Sequence, residues 1–175
     1  MAIRTHWVLA GMICLLGAGA AQAQETGPTP QERIGACIAG FKNAAAVQTT
    51  ASGLRWLELG AGDAALPNPQ LSDQVVVDYV GAFPDGRVFD DSYTRGEPAQ
   101  FELGRLIKGW GEGLQRVRPG SDVCLAVPAA LAYGAAGKGD IPPNAELLFR
   151  IQLLGVWRLF APGETSAAEA PAAPR

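Results

Sequence analysis

Apolar and polar residues alternate with a period of two along five stretches of the chain. In LRWLEL, Leu54, Trp56 and Glu58 fall on one side and Arg55, Leu57 and Leu59 on the other. In VVVDYVGAF, Val75, Val77, Tyr79 and Phe83 oppose Val76, Asp78 and Val80. QFEL puts Phe101 with Leu103. DVCLAV groups Val123, Leu125 and Val127, with Cys124 facing the other way. ELLFRIQLLGVW sets Leu147, Phe149, Ile151 and Leu153 against Arg150 and Gln152. Such spacing predicts strands with one buried face, the habit of an antiparallel sheet.

One stretch breaks this period. In LIKGWGEGLQRV, Leu106, Ile107, Trp110, Leu114 and Val117 recur at helical spacing. Three glycines within it predict a short helix held by packing rather than by propensity. Together the patterns predict an α+β fold, a twisted antiparallel sheet curved around one short helix.

The ends of the chain read differently. MAIRTH is followed by an uncharged apolar run from Trp7 to Ala20, and then by small residues up to Ala23. That order predicts a secretory signal over 1–23, cleaved after Ala23. The apolar run is shorter than the roughly 18–20 residues a spanning helix needs, so no stable membrane insertion is expected after cleavage. The alternative is an anchor that stays attached. Residues 24–48 read as a linker, QETGPTPQ, followed by a short helical segment with Ile34, Cys37, Ile38, Phe41 and Ala45 at helical spacing. Residues 49–158 form the predicted domain, large enough for one core. The tail 159–175 is rich in Ala, Pro and Glu and is expected to be disordered.

Removing 1–23 changes the chemistry that is available. The chain of 175 residues has one histidine, His6, and it leaves with the leader. A mature chain without imidazole excludes Ser-His-Asp triads, Cys-His pairs and histidine-ligated metals. Loss of Arg4 leaves 13 of the 14 basic residues against 17 acidic ones, a net charge of −4, which argues against nucleic acid as a partner. Cys14 leaves too. The remaining Cys37 and Cys124 suggest one disulfide in an exported protein, the alternative being two unpaired thiols.

Candidate chemistry centres on YVGAFPDGRVFDDS, where a Pro-Asp-Gly turn precedes Phe89, Asp90 and Asp91. A calcium loop starting at Asp91 would find Gly96 and Glu102 in place but Tyr93 and Arg95 where oxygen ligands belong, so no metal is expected. Adjacent strand residues point to opposite faces, so Asp90 and Asp91 do not make a catalytic carboxylate pair. GWGEG and GAAGKGD lack the spacing of nucleotide-binding loops, and no cofactor is expected. The aromatics Tyr79, Phe89, Trp110, Tyr133 and Phe149 carry more weight. Each sits on or beside a buried face, and a site of rings with few polar groups suits a compact apolar ligand such as proline.

Four segments, VVVDYVGAFPDGRVFDDS, IKGWGEGLQRVRPGS, PAALAYGAAGKGDIPPNAELLFRIQLLGV and TTASGLRWLEL, resemble the FK506-binding-protein family of peptidyl-prolyl isomerases, in order, over about 49–157. The resemblance implies an apolar pocket between helix and sheet. Tyr79, Phe89 and Phe149 would be its walls and Trp110 its floor. Leu106 and Ile107 would flank the entrance, with the Ile107 N–H donating to a substrate carbonyl. Tyr133 would offer its hydroxyl to a second carbonyl. Asp90 would be the one acid, oriented by Tyr79 and Arg95, and Ile141 would close the lip of the loop 134–141. Tyr79, Asp90 and Tyr133 would be the catalytic groups. Ala99 stands where the family commonly has an aromatic, which bears on affinity for macrolides such as FK506 and rapamycin. The implied activity is isomerisation of X-Pro bonds in unfolded or folding proteins of the periplasm. A chaperone that holds prolyl segments without turnover is the alternative. A carrier of small apolar ligands would use the same rings but would have no need of Asp90.

Overall fold

The computed structural model describes residues 27–158. Helix α1 (Pro30–Lys42) is followed by seven strands: β1 (Gln48–Thr49), β2 (Arg55–Gly60), β3 (Gln74–Ala82), β4 (Val88–Asp91), β5 (Ala99–Glu102), β6 (Asp122–Val127) and β7 (Leu147–Trp157). Helix α2 (Lys108–Leu114) lies between β5 and β6. The sheet is antiparallel throughout its pairings, in the order β1-β2-β6-β7-β3-β4, with β5 also paired to β3. The five alternating stretches are all strands. Alternation did not predict β1, which has only two residues, or β4, whose VFDD places its two apolar residues side by side instead of alternating.

The inner face of the sheet buries Val75, Val77, Tyr79, Leu125, Phe149 and Ile151 against Trp110 and Leu114 of α2. The helix approaches closely because it is glycine-rich. A Cβ at Gly113 would stand 2.7 Å from both Leu125 methyl carbons. Packing density at this contact therefore replaces the helix propensity that Gly109, Gly111 and Gly113 forgo.

The outer face departs from the expectation of one buried face. Val80, Ala82, Cys124, Ala126 and Leu148 are buried there, beneath Ile34 and Cys37 of α1. Helix α1 begins inside the predicted linker, at Pro30. Thr29 caps it: the Glu32 N–H donates to the Thr29 hydroxyl, and the Glu32 carboxylate accepts from the Thr29 N–H at 2.8 Å. Cys37 and Cys124 are joined as a disulfide with their Cα atoms 5.5 Å apart. The bond does not cross an open surface, as the outward position of Cys124 implied. Both cysteines are fully buried between helix and sheet. Polar contacts seal the edge of this layer. The Arg33 guanidinium lies 3.8 Å from the Tyr93 ring centroid, and Arg150 donates to Asp122 and to the Arg33 carbonyl. The expected signal peptide over 1–23 and the expected disordered tail over 159–175 lie outside the described residues.

Candidate functional site

A cavity of about 200 Å³ opens between the inner face of the sheet and α2. Trp110 forms its floor and is nearly fully buried. Three rings meet it edge-on: Tyr79 at 5.3 Å, Phe149 at 5.4 Å and Phe101 at 6.1 Å between centroids, with interplanar angles of 83°, 83° and 88°. Edge-to-face pairs of this kind hold aromatic walls in fixed orientation. Phe89 continues the wall, 5.9 Å from Phe149. Gly81 lies behind these two rings, and a Cβ there would come within 2.9 Å of both. Only a residue without a side chain leaves room for them to close the cavity on this side.

Local irregularity in β4 brings its chemistry to this face. Gly81 pairs with Asp90 while the next residue, Ala82, pairs with Val88, so Phe89 is an extra residue in the strand. A bulge of this type re-aims side chains. As a result Phe89 and Asp90 both line the cavity although they are adjacent in sequence. Asp91 does not. Its carboxylate accepts from the Thr94 N–H at 2.6 Å and hydroxyl at 2.9 Å, closing the turn that follows the strand.

Asp90 sits in a three-group network. The Tyr79 hydroxyl donates to Asp90 Oδ2 at 2.5 Å, and Arg95 donates to Asp90 Oδ1 at 2.7 Å and to the Tyr79 hydroxyl oxygen at 2.9 Å. Burial pushes the Tyr79 hydroxyl pKa up to about 12, and the hydrogen bond to Asp90 adds to the rise. The phenol is therefore a fixed donor, and the carboxylate is held at the cavity edge rather than free to rotate.

At the mouth, Leu106 and Ile107 line the wall that leads into α2. The Ile107 carbonyl accepts from the Trp110 and Gly111 N–H groups. Tyr133 lies across the opening with Lys138 Nζ 5.4 Å from its ring centroid, and its hydroxyl has no protein partner among the described residues. Ile141, expected at the lip of the loop, belongs to the buried cluster that includes Tyr79, Trp110 and Phe149. It exchanges two backbone hydrogen bonds with Lys138, which tie the loop down. Phe101 is on the wall, although sequence reasoning assigned it only to a strand face. The alternation of QFEL was the available signal; the pairing of Phe101 with Val75, which lies on the face of Tyr79, came from the fold. Ala99 packs on the core but does not line the cavity.

A pre-formed cup of aromatic rings with one anchored carboxylate, carried on an antiparallel sheet that curves around a helix, has the shape and lining to hold a compact apolar group without covalent chemistry. The family model for FKBP-type peptidyl-prolyl cis-trans isomerase matches residues 67–154. The chain belongs to that family. It is 46% identical over 118 residues to the FKBP-type peptidyl-prolyl cis-trans isomerase FkpA of Escherichia coli K12, covering 66% of this chain and 42% of that protein. It is 44% identical over 126 residues to the peptidyl-prolyl cis-trans isomerase Mip of Coxiella burnetii, covering 71% and 54%. The chain thus spans about half the length of these curated relatives. Among solved structures, a peptidyl-prolyl cis-trans isomerase from Pseudomonas syringae superposes with a TM-score of 0.61 at 36% identity, over 76% of this chain and 99% of that one.

Proposed function

We propose that the protein is a peptidyl-prolyl cis-trans isomerase acting on X-Pro bonds of unfolded or folding polypeptides. The observation that carries this reading is the Trp110 floor ringed by Tyr79, Phe101 and Phe149, an aromatic cavity of about 200 Å³ with room for a prolyl ring and part of its flanking backbone. The planar amide resists rotation by about 18–20 kcal/mol because resonance polarises it. The twisted transition state loses that resonance and is less polar, so a dry pocket that fits the twisted form lowers the barrier without covalent chemistry. Each roughly 1.4 kcal/mol of such differential binding gives about tenfold in rate. In this reading the proline ring rests on Trp110. The Ile107 N–H and the Tyr133 hydroxyl take the two flanking carbonyls. Asp90, fixed by Tyr79 and Arg95, presents a preorganised field to the turning amide.

Exchange NMR on a cis/trans proline peptide tests the proposal. Accelerated exchange that FK506 or rapamycin suppresses is expected. Binding with no change in exchange rate would replace the isomerase with a prolyl-holding chaperone.

The same reading includes export to the periplasm after cleavage behind Ala23. The disulfide between Cys37 and Cys124 supports an oxidising compartment. Protein recovered from the periplasmic fraction should begin at Gln24, and intact Met1 in a membrane pellet would overturn it.

A further inference from the structure

A second concavity adjoins the prolyl pocket. It is a groove of about 350 Å³ on the far side of Leu106 and Ile107, which line both spaces. Its other apolar walls are Leu71, Leu103 and Leu131. Leu71 is 49% exposed, so its side chain is accessible from the groove. The groove is built rather than incidental. The Gly104 N–H donates to the Leu71 carbonyl at 2.8 Å, and the Leu103 N–H donates to the Asp73 carbonyl at 3.0 Å, so the Leu71 segment is fixed by backbone bonds. A Cβ on Gly104 would stand 2.8 Å from that carbonyl, and one on Gly111 would stand 3.0 Å from a Leu71 methyl. These two glycines let the Leu71 segment lie on α2 and leave bare backbone along the groove. Polar side chains form the rim. Gln115 is held by the Gly111 carbonyl, and Glu112 by Ser52.

We propose that this groove is a second substrate subsite, which takes an apolar side chain from the polypeptide on the C-terminal side of the proline. The inference rests on the isomerase reading. Leu106 and Ile107 line both spaces, so a chain that crosses this ridge from the prolyl pocket enters the groove. In this proposal the prolyl carbonyl, rather than the one before the proline, is assigned to the Ile107 N–H, which makes the crossing segment the one after proline. Apolar walls with a polar rim match one apolar side chain flanked by a solvated backbone. Such a side chain stands free beside a proline in an unfolded chain and is buried in a folded one. The groove therefore selects unfolded clients by an apolar residue within the few positions that follow proline.

The test uses the full chain and exchange NMR on proline peptides that carry only alanine after the proline, or leucine at one of the next three positions. The expected result is kcat/KM higher on the order of tenfold for the best leucine peptide, expressed mainly in KM. Leu71→Asn should reduce that gain to less than about twofold while leaving the all-alanine peptide at the wild-type rate. NOEs between the peptide leucine methyls and those of Leu71 and Leu131 should appear in the wild type, a readout independent of any variant's folding. Equal efficiency on all peptides, a gain that survives Leu71→Asn, or NOEs to other residues would overturn the subsite and leave the isomerase standing. Failure to turn over any peptide would end both.

Discussion

Tyr79 donates a 2.5 Å hydrogen bond to Asp90 across the rim of the cavity, and this bond joins the apolar floor to the one carboxylate that lines it among the described residues. Tyr79 is buried and packs on Trp110, whereas about half of the Asp90 side chain is exposed. The bond therefore transmits order from the core to a surface acid that would otherwise sample several rotamers.

Asp90→Asn removes the charge and keeps the shape. Turnover of a proline peptide is expected to fall more than its affinity, because the rings that bind proline remain. The Tyr79 phenol should also ionise at lower pH than in the wild type, although still above the ordinary value because burial persists. In the wild type the raised pKa contributes stability that is fully present below about pH 10. It is lost as pH rises toward about 12, where the folded-state phenol ionises. Absorbance at 295 nm, followed with chemical denaturation across that window, checks both statements. Ionisation of all three tyrosines near pH 10 would contradict them.

The aromatic box makes a second prediction. Trp110→Ala should destabilise the protein by about 3–5 kcal/mol, as removal of a large buried ring does, and abolish peptide binding. Phe101→Leu keeps most of the volume and loses the edge contacts to Tyr79 and Trp110. It should lower affinity and turnover together with little change in the denaturation midpoint. An unchanged isomerase rate in Phe101→Leu would remove this ring from the site.

Tyr133→Phe deletes one hydrogen-bond donor and leaves the ring. A hydrogen bond is worth about 0.5–1.5 kcal/mol net, so turnover should drop about tenfold or less. Titration calorimetry with a proline peptide separates the binding part. A loss well beyond that range would show that the ring is misplaced rather than merely shortened.

The disulfide bridges a sequence separation of 87 residues. The chain-entropy model assigns about 4–5 kcal/mol to a loop on the order of 90 residues. The Cys37→Ala/Cys124→Ala double variant should unfold at markedly lower denaturant, and mature unreduced protein should show no free thiol when unfolded. Because the bond lies on the sheet face opposite the cavity, turnover below the transition should stay within about twofold of the wild type. Two reactive thiols in the unreduced mature protein would contradict the pairing.

Most of the fold is legible in the sequence because parity and period are local properties. Val75, Val77 and Tyr79 alternate, and Leu106, Trp110 and Leu114 recur at helical spacing, whatever surrounds them. The absence of histidine from residues 24–175 and the ring-rich composition of the site are equally local. The tertiary structure decided what covers each face. Val80, Ala82 and Cys124 occupy positions that alternation assigns to the outside, and they are buried because α1, distant in sequence, lies over them. Parity also separates Phe89 from Asp90. A bulge defined only by pairing with β3 returns both to the cavity, and the pairing of β5 with β3 brings Phe101 there as well. Ile141 lies on a loop without regular alternation, and its burial beside Tyr79, Trp110 and Phe149 follows from how that loop folds back on the core. A strand's sequence states which side chains share a face. Only its neighbours, chosen by hydrogen bonding and packing across the chain, determine whether that face meets water, a helix or a ligand.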